Sequence, residues 1–169
     1  MQTKGVILAG GRSERMGCDK ALLLYKGISL LEHTKNMISS LGIDDITIIG
    51  RPDDMNGVAD TEGHQGPAIN LQHWLNAQTL PFRILVLPVD MPFLGKEQLN
   101  FLLSNKDGAY FDDLYLPFSA VIRDSIGPRI SRMKDLLAHM QVIGVHPPPE
   151  WQKNLVNINN SADLTLLNP

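Results

Sequence analysis

The stretch Leu8-Ala-Gly-Gly-Arg-Ser-Glu-Arg-Met-Gly-Cys-Asp-Lys20 joins adjacent glycines to three cations, Arg12, Arg15 and Lys20. Adjacent glycines let a backbone enter conformations closed to other residues, so successive amide N–H groups can converge on an anion. The spacing is not the dinucleotide pattern, whose third glycine falls elsewhere, nor a P-loop, since no Gly-Lys-Ser/Thr follows. A cradle for a polyphosphate is the chemistry such a loop supports. A tight turn flanked by solvated charges is the plainer reading of a Gly-Gly pair alone.

Asp90 closes the most apolar run of the chain, Phe82–Val89, and is followed by Met91-Pro92. A carboxylate at that place projects from a sheet edge, where Mg²⁺ could be held by Asp90 and phosphate oxygens. Magnesium commonly takes one or two carboxylates plus substrate phosphates, so a single Asp is enough. The alternative is an N-cap for the helix beyond Pro92. Asn157 and Asn159 are one residue apart, so in an extended segment they share a face. They could meet a second substrate or a metal's water shell, or form a turn before the last helix.

The elements that must position these groups alternate. Val6–Ala9 reads as a buried strand closed by glycines. Ser29 and Glu32 form a capping box ahead of a helical repeat that runs to Leu41, with Gly42 placed to end it. Ile46–Ile49 is a second strand, and 51–66 is mostly loop with a short strand near Val58. Pro67 opens a helix to about Gln78. Phe82–Val89 is expected as a central parallel strand covered on both faces. Helix over Lys96–Ser104, one or two strands within Leu114–Ile122, helix over Ser131–Met140, strand over Val142–Val145 and a short helix after Ser161 complete the pattern. Such alternation predicts an α/β protein: a single open, mostly parallel sheet with helices on both faces. In sheets of that kind ligands bind at the carboxyl ends of the strands, where the Leu8–Lys20 loop lies.

The chain has 169 residues and a formal charge of −3, which fits one domain and gives no basic excess for a nucleic-acid partner. The single Cys18 excludes an intramolecular disulfide and reads as a small loop residue. The five histidines lack ligand-pair spacing and read as surface or packing residues. The apolar run Gly5–Ala9 is too short for a signal sequence or a membrane span, so a cytoplasmic setting without membrane contact is expected.

The loop resembles the signature of the molybdenum cofactor guanylyltransferases, L-A-G-G-x-S-x-R-M-G-x-D-K, at every fixed position. Related cytidylyltransferases of the same cofactor usually show Ala-Ala-Gly where this chain has Ala9-Gly10-Gly11, so the resemblance leans toward GTP. Asp60 before Gly66-Pro67 is similar to the family's Asp before Gly-Pro-Leu. Val89-Asp90-Met91-Pro92 is similar to its Cys-Asp-x-Pro, and Val156-Asn157-Ile158-Asn159 with Ala162-Asp163-Leu164 to its Asn-x-Asn segment.

The resemblance implies a Rossmann-like nucleotidyltransferase fold over 1–169. It implies that Leu8, Ala9, Gly10, Gly11, Lys20, Asp60, Gly66 and Asp90 bind the nucleotide, and that Arg15, Lys20 and Asp90 are catalytic. Asp90 would bind Mg²⁺, and Asp60 would read the guanine N1 and N2 edge, whose two donors suit a carboxylate. Arg129, within Gly127-Pro128-Arg129, would hold the pterin substrate together with Asn157 and Asn159.

The implied reaction is attack by the terminal phosphate of molybdenum-molybdopterin on the α-phosphorus of GTP, with pyrophosphate leaving. The attacking phosphate is already ionised, so no general base is demanded; positioning and charge neutralisation supply the rate. GTP and molybdenum-molybdopterin are then the substrates, with transient contact to cofactor-biosynthesis and acceptor proteins. The chain departs from the family pattern at Gly66-Pro-Ala-Ile-Asn70, where Gly-Pro-Leu-Ala-Gly is usual, and at Ile48-Ile49-Gly50, which lacks the usual Asn. The region after Leu114 is also short. A nucleotidyltransferase with another base or acceptor, or a non-catalytic nucleotide-binding module, remains the alternative.

Overall fold

The fold begins with residues that alternate between two apolar faces. In β1 (Thr3–Leu8), Val6 packs into the core on one side of the sheet and Ile7 into the core on the other, both fully buried. The computed structural model describes residues 1–10, 17–60 and 65–168. After β1 come the hairpin β2 (Leu24–Tyr25) and β3 (Ile28–Ser29), then β4 (Ile46–Ile49), β5 (Gly57–Val58), β6 (Phe82–Pro88), β7 (Gly108–Phe111), β8 (Phe118–Ile122) and β9 (Ile143–Val145). All but the hairpin form one seven-stranded sheet in the order β5-β4-β1-β6-β8-β7-β9.

Helices cover both faces, as the sequence alternation predicts. α1 (Leu30–Ser39) and α3 (Lys96–Ser104) bury Leu30, Leu31, Ile38, Leu99 and Leu102 against Ile7, Ile48, Leu85 and Phe111. α2 (Pro67–Asn76) and α4 (Met133–His139) bury Leu71, Trp74, Leu75, Leu136 and Leu137 against Val6, Ile84, Val86 and Phe118. Each fully buried aliphatic chain is worth about 1.5–3 kcal/mol, so the two layers hold the strand ends rigidly. The expected cap is present: the Ser29 hydroxyl accepts from the Glu32 amide at 3.1 Å. Gly5 lets α1 close down on β1, because a Cβ there would lie 2.7 Å from Ile38 Cγ2.

The chain leaves β1 through α1 to β4 on one side and returns through α2 to β6 on the other. β1 pairs in parallel with both neighbours. The crevice at the carboxyl ends of β1 and β6 is therefore a topological switch point, the place where open α/β sheets bind ligands.

Three expectations need correction. β6 is parallel to β1 but antiparallel to β8, so it is not flanked by parallel strands on both sides. β8 is reversed because it follows β7 after a short connection, which joins only antiparallel neighbours. Residues 114–117 are not strand: the reversal between β7 and β8 occupies them, with Asp113 at φ 67° and Tyr115 at φ 60°. The second strand of that pair lies earlier, at Gly108–Phe111, where four residues are too few for a periodic signal. The helix expected over Ser131–Met140 shortens to Met133–His139 because Arg132 is extended, whereas the short helix expected after Ser161 is present as a 3₁₀ helix over Ser161–Leu166.

Where β4 ends, Gly50 has φ 97°, and a Cβ there would lie 2.2 Å from the Gly10 Cα. Both the backbone conformation and the close approach require glycine. Gly50→Ala should therefore destabilise the protein by about 2 kcal/mol or more in denaturant unfolding. A variant as stable as the parent would mean that the two backbones do not meet.

Candidate active site

Asp90 stands just past β6, at the switch point, and is half-buried. Its Oδ2 lies 3.1 Å from Lys20 Nζ, and its Oδ1 accepts from Asn157 Nδ2 at 3.1 Å. Its backbone carbonyl accepts from the Ile158 amide at 2.8 Å. Ile158 is fully buried in the core, so its neighbours Asn157 and Asn159 on the extended segment turn the other way, toward the crevice. Lys20 Nζ also donates to Asn159 Oδ1 at 3.5 Å. Three stretches separated widely in the chain, at Lys20, Asp90 and Asn157–Asn159, thus meet at one carboxylate.

The local structure explains how Lys20 gets there. Asp19 caps a 3₁₀ turn, Lys20–Leu22, by accepting from the Ala21 amide at 3.1 Å. Its other oxygen pairs with Arg51 at 2.7 Å, which ties this turn to the loop after β4. Arg51 lies partly buried, which pulls its pKa down, but hydrogen bonds and attraction from Asp19 and Asp54 outweigh that and hold it above the ordinary value. The guanidinium is a fixed positive post, and the turn it anchors aims Lys20 inward.

The bland alternatives for these residues do not hold. The N-cap of α3 is Gly95, not Asp90. Asn160 caps the last 3₁₀ turn, leaving Asn157 and Asn159 for Asp90 and Lys20. With side-chain exposures of 20% for Lys20 and 18% for Asp90, the pair is partly shielded from water and feels a stronger field than a surface pair. Among the described residues each Asp90 side-chain oxygen has one donor, which leaves lone-pair capacity. Among the described residues no group of three or more His, Cys, Asp and Glu gathers, so a metal here would be shared between Asp90 and ligand oxygens.

A second cluster lies on the other side of the β1 end. The Gly10 Cα faces Asp60 so closely that a Cβ there would lie 2.7 Å from both carboxylate oxygens. Asn70, buried on the first turns of α2, donates to Asp60 Oδ1 at 2.6 Å. Asn70 stands where the family pattern has glycine, and its amide occupies one side of that carboxylate. Gly66, at φ 95°, is the N-cap of α2, with Pro67 at its first position. Leu8 and Ala9 precede Gly10, and Ala9 is bonded through its amide to Ile49 at 3.0 Å.

Lys20, Asp90, Asn157 and Asn159 come together, and Gly10, Asp60, Asn70 and Gly66 form the neighbouring wall. Arg129 joins neither group: it donates to Gln65 Oε1, just ahead of α2. Gly11, Arg12 and Arg15 lie outside the described residues, as does His64. Of the other histidines, His33 packs edge-on against Tyr25 and bonds the Pro92 carbonyl at 2.9 Å. Cys18 is exposed in the turn before Lys20. Sequence reasoning missed the Asp19–Arg51 anchor and the amides Gln72 and Asn76, whose spacing on α2 was their only signal.

The family model described as the MobA-like NTP transferase domain matches residues 5–136. A protein of Xanthomonas euvesicatoria named molybdenum cofactor guanylyltransferase is 37% identical over 115 residues, which are 67% of this chain and 61% of that relative. The chain thus spans less than two thirds of that protein's length. A Pyrococcus horikoshii protein, named "Probable molybdenum cofactor guanylyltransferase", is 24% identical over 99% of this chain and 100% of its own length. The solved structure of molybdopterin-guanine dinucleotide biosynthesis protein A from Archaeoglobus fulgidus superposes with a TM-score of 0.68. It is 16% identical and covers 97% of this chain and 96% of its own, a likeness of fold alone.

The Lys20–Asp90 pair is still reached by solvent, so its net contribution to stability should be small. Lys20→Met should keep the unfolding free energy within about 1 kcal/mol of the parent, as half-exposed pairs usually do. A loss several times larger in denaturant unfolding would make the pair a structural strut.

Proposed function

The chain belongs to the MobA-like NTP transferase family, and from that membership we propose that it transfers GMP from GTP to the terminal phosphate of molybdenum-molybdopterin. The observation that carries this reading is the convergence of Lys20 and Asn157 on Asp90 at the switch point, with Asn159 bonded in turn to Lys20. The names of the Xanthomonas and Pyrococcus relatives support the choice of guanine and of the pterin acceptor.

The acceptor's phosphate oxygen forms a bond to the α-phosphorus of GTP while the bond to the bridging oxygen of pyrophosphate breaks. No proton needs to be removed from an ionised phosphate, so the protein's part is to bind, align and neutralise charge. Asp90, together with phosphate oxygens of the substrates, would hold a Mg²⁺ ion, and such an ion would supply Lewis acidity when bound. Lys20, already beside Asp90, balances the negative charge of the triphosphate; Arg15 adds to that charge in the reading based on the loop's signature. Asn157 holds the carboxylate of Asp90 in a fixed rotamer, and Asn159 does the same for the ammonium of Lys20. Asp60, flanked by Gly10 and steadied by Asn70, accepts from the guanine edge.

Among the described residues no helix is long and apolar enough to cross a membrane. Both substrates are charged and water-soluble, which fits a reaction in the cytoplasm.

Pyrophosphate release from each of the four NTPs with Mg²⁺, with and without molybdenum-loaded molybdopterin, tests the reading. Release is expected only with GTP and that acceptor. Tight GTP binding with no release for any pair would leave a nucleotide-binding module instead. Asp90→Ala should lower turnover by about 10³-fold or more while the fold persists by circular dichroism. Full activity in that variant would remove Asp90 from the reaction.

A further inference from the structure

Gln65, Gln72 and Asn76 recur at intervals of seven and four residues, which sets them on one stripe running along α2 and just ahead of it. All three bond the segment between β8 and α4. Asn76 grips Ile126 with both ends of its amide: Nδ2 donates to the carbonyl at 3.1 Å and Oδ1 accepts from the N–H at 2.8 Å. Gln72 Nε2 donates among the carbonyls of Ile126, Gly127 and Pro128 at 3.2, 2.9 and 2.9 Å. Its Oε1 accepts from the Ile130 amide at 2.9 Å. Gln65 then receives the Arg129 guanidinium.

Topology makes this ladder necessary. β8 runs against β6, with Ile122 paired to Phe82 at the start of β6, so the chain leaves β8 at the pole of the sheet opposite Asp90. Residues 126–130 climb beside α2 from its last turn to its first, and that climb carries Arg129 to the Gly66 end, beside the wall built by Asp60 and Asn70. Gln72 is 7% exposed. A buried amide must be desolvated, and a leucine would fill the same space without that cost. The amide specifies something a leucine would not, namely the path of a segment that has no secondary structure of its own.

We propose that Gln72 and Asn76 are positioning residues that set Arg129 to contact a phosphate of a bound substrate. A guanidinium at this rim suits a phosphate by bidentate hydrogen bonding. The phosphate belongs either to the nucleotide or to the acceptor. The proposal rests on the reading of the site as one that takes two phosphate-bearing substrates.

Gln72→Met removes the upper bonds at nearly constant volume, and Asn76→Ala removes the lower ones at an exposed position, so one variant keeps the core intact whatever the other does. Dissociation constants for GTP and for molybdenum-loaded molybdopterin are measured by equilibrium titration, in the parent and in an Arg129→Ala background. Each variant should weaken one ligand by roughly tenfold, the size of one charge-assisted hydrogen bond, and leave the other within about twofold. Weakened GTP binding identifies the nucleotide phosphate, and weakened acceptor binding identifies the acceptor phosphate. With Arg129→Ala present, neither variant should add a further loss, because both act through that side chain. Unchanged affinity for both ligands, equal losses for both, or full additivity with Arg129→Ala would overturn the proposal. A parent protein that binds both ligands and forms no dinucleotide would overturn the proposed function instead, and the two titrations would still be readable.

Discussion

The meeting of backbones at Gly10 is the constraint on which the rest of the site depends. The end of β1 is pressed from one side by Gly50, where a Cβ would reach the Gly10 Cα, and from the other by the carboxylate of Asp60. Nothing larger than hydrogen fits on either glycine. This closeness sets the separation between the end of β4 and the carboxylate, and it fixes the point from which the glycine-rich loop departs.

Around that fixed point, the charged groups described at the site each hold a partner. Lys20 rests on Asp90, Arg51 on Asp19 and Asp54, and Asp60 on Asn70. The pairs fall into two kinds. Arg51–Asp19 caps and anchors a turn, and nothing in its surroundings calls for exchange. Lys20–Asp90 lies at the mouth of the crevice, where a triphosphate and its cation would replace each partner with a better one. In the proposed reaction, an ammonium held near a carboxylate would be kept in place by the charge it trades, which would lower the ordering cost of ligand binding.

Much of the fold was legible because its signals are periodic or chemical. The continuous apolar run at Phe82–Val89, the Ser29–Glu32 box and Pro67 at the head of α2 each point to one local structure. Asp90 and Asn157–Asn159 stand out in the sequence because a carboxylate at a strand end and two amides on one face can meet a ligand, although an N-cap and a turn suit the same residues; what the structure adds is that they meet in space. What escaped depends on partners far away in the chain. Nothing near Gly108–Phe111 announces a strand whose place is set by pairing with β8 and β9. Nothing near Asp19 announces Arg51, thirty-two residues on. Gln72 and Asn76 look like ordinary polar residues of a helix until the reversed β8 obliges the chain to climb back along them.

The brevity of the chain after Leu114 need not weaken the site, because the segment that matters is held by two strong anchors. Ile158 is fully buried, and its amide bonds the carbonyl of Asp90 itself. Asn154, three residues past Trp151 in the core, donates to the Phe93 carbonyl at 2.9 Å. Both contacts fall on the stretch that follows β6, so the returning C-terminal chain is fastened to the same short span that carries the carboxylate. The side of the site that does depend on the middle of the chain is the Arg129 rim, which reaches its place only through the amide ladder of α2. The two regions are therefore built by different means: the Asp90 side by burial of Ile158 next to it, the Arg129 segment by amides of α2, Gln72 buried and Asn76 exposed, that guide an irregular stretch from the far end of the sheet.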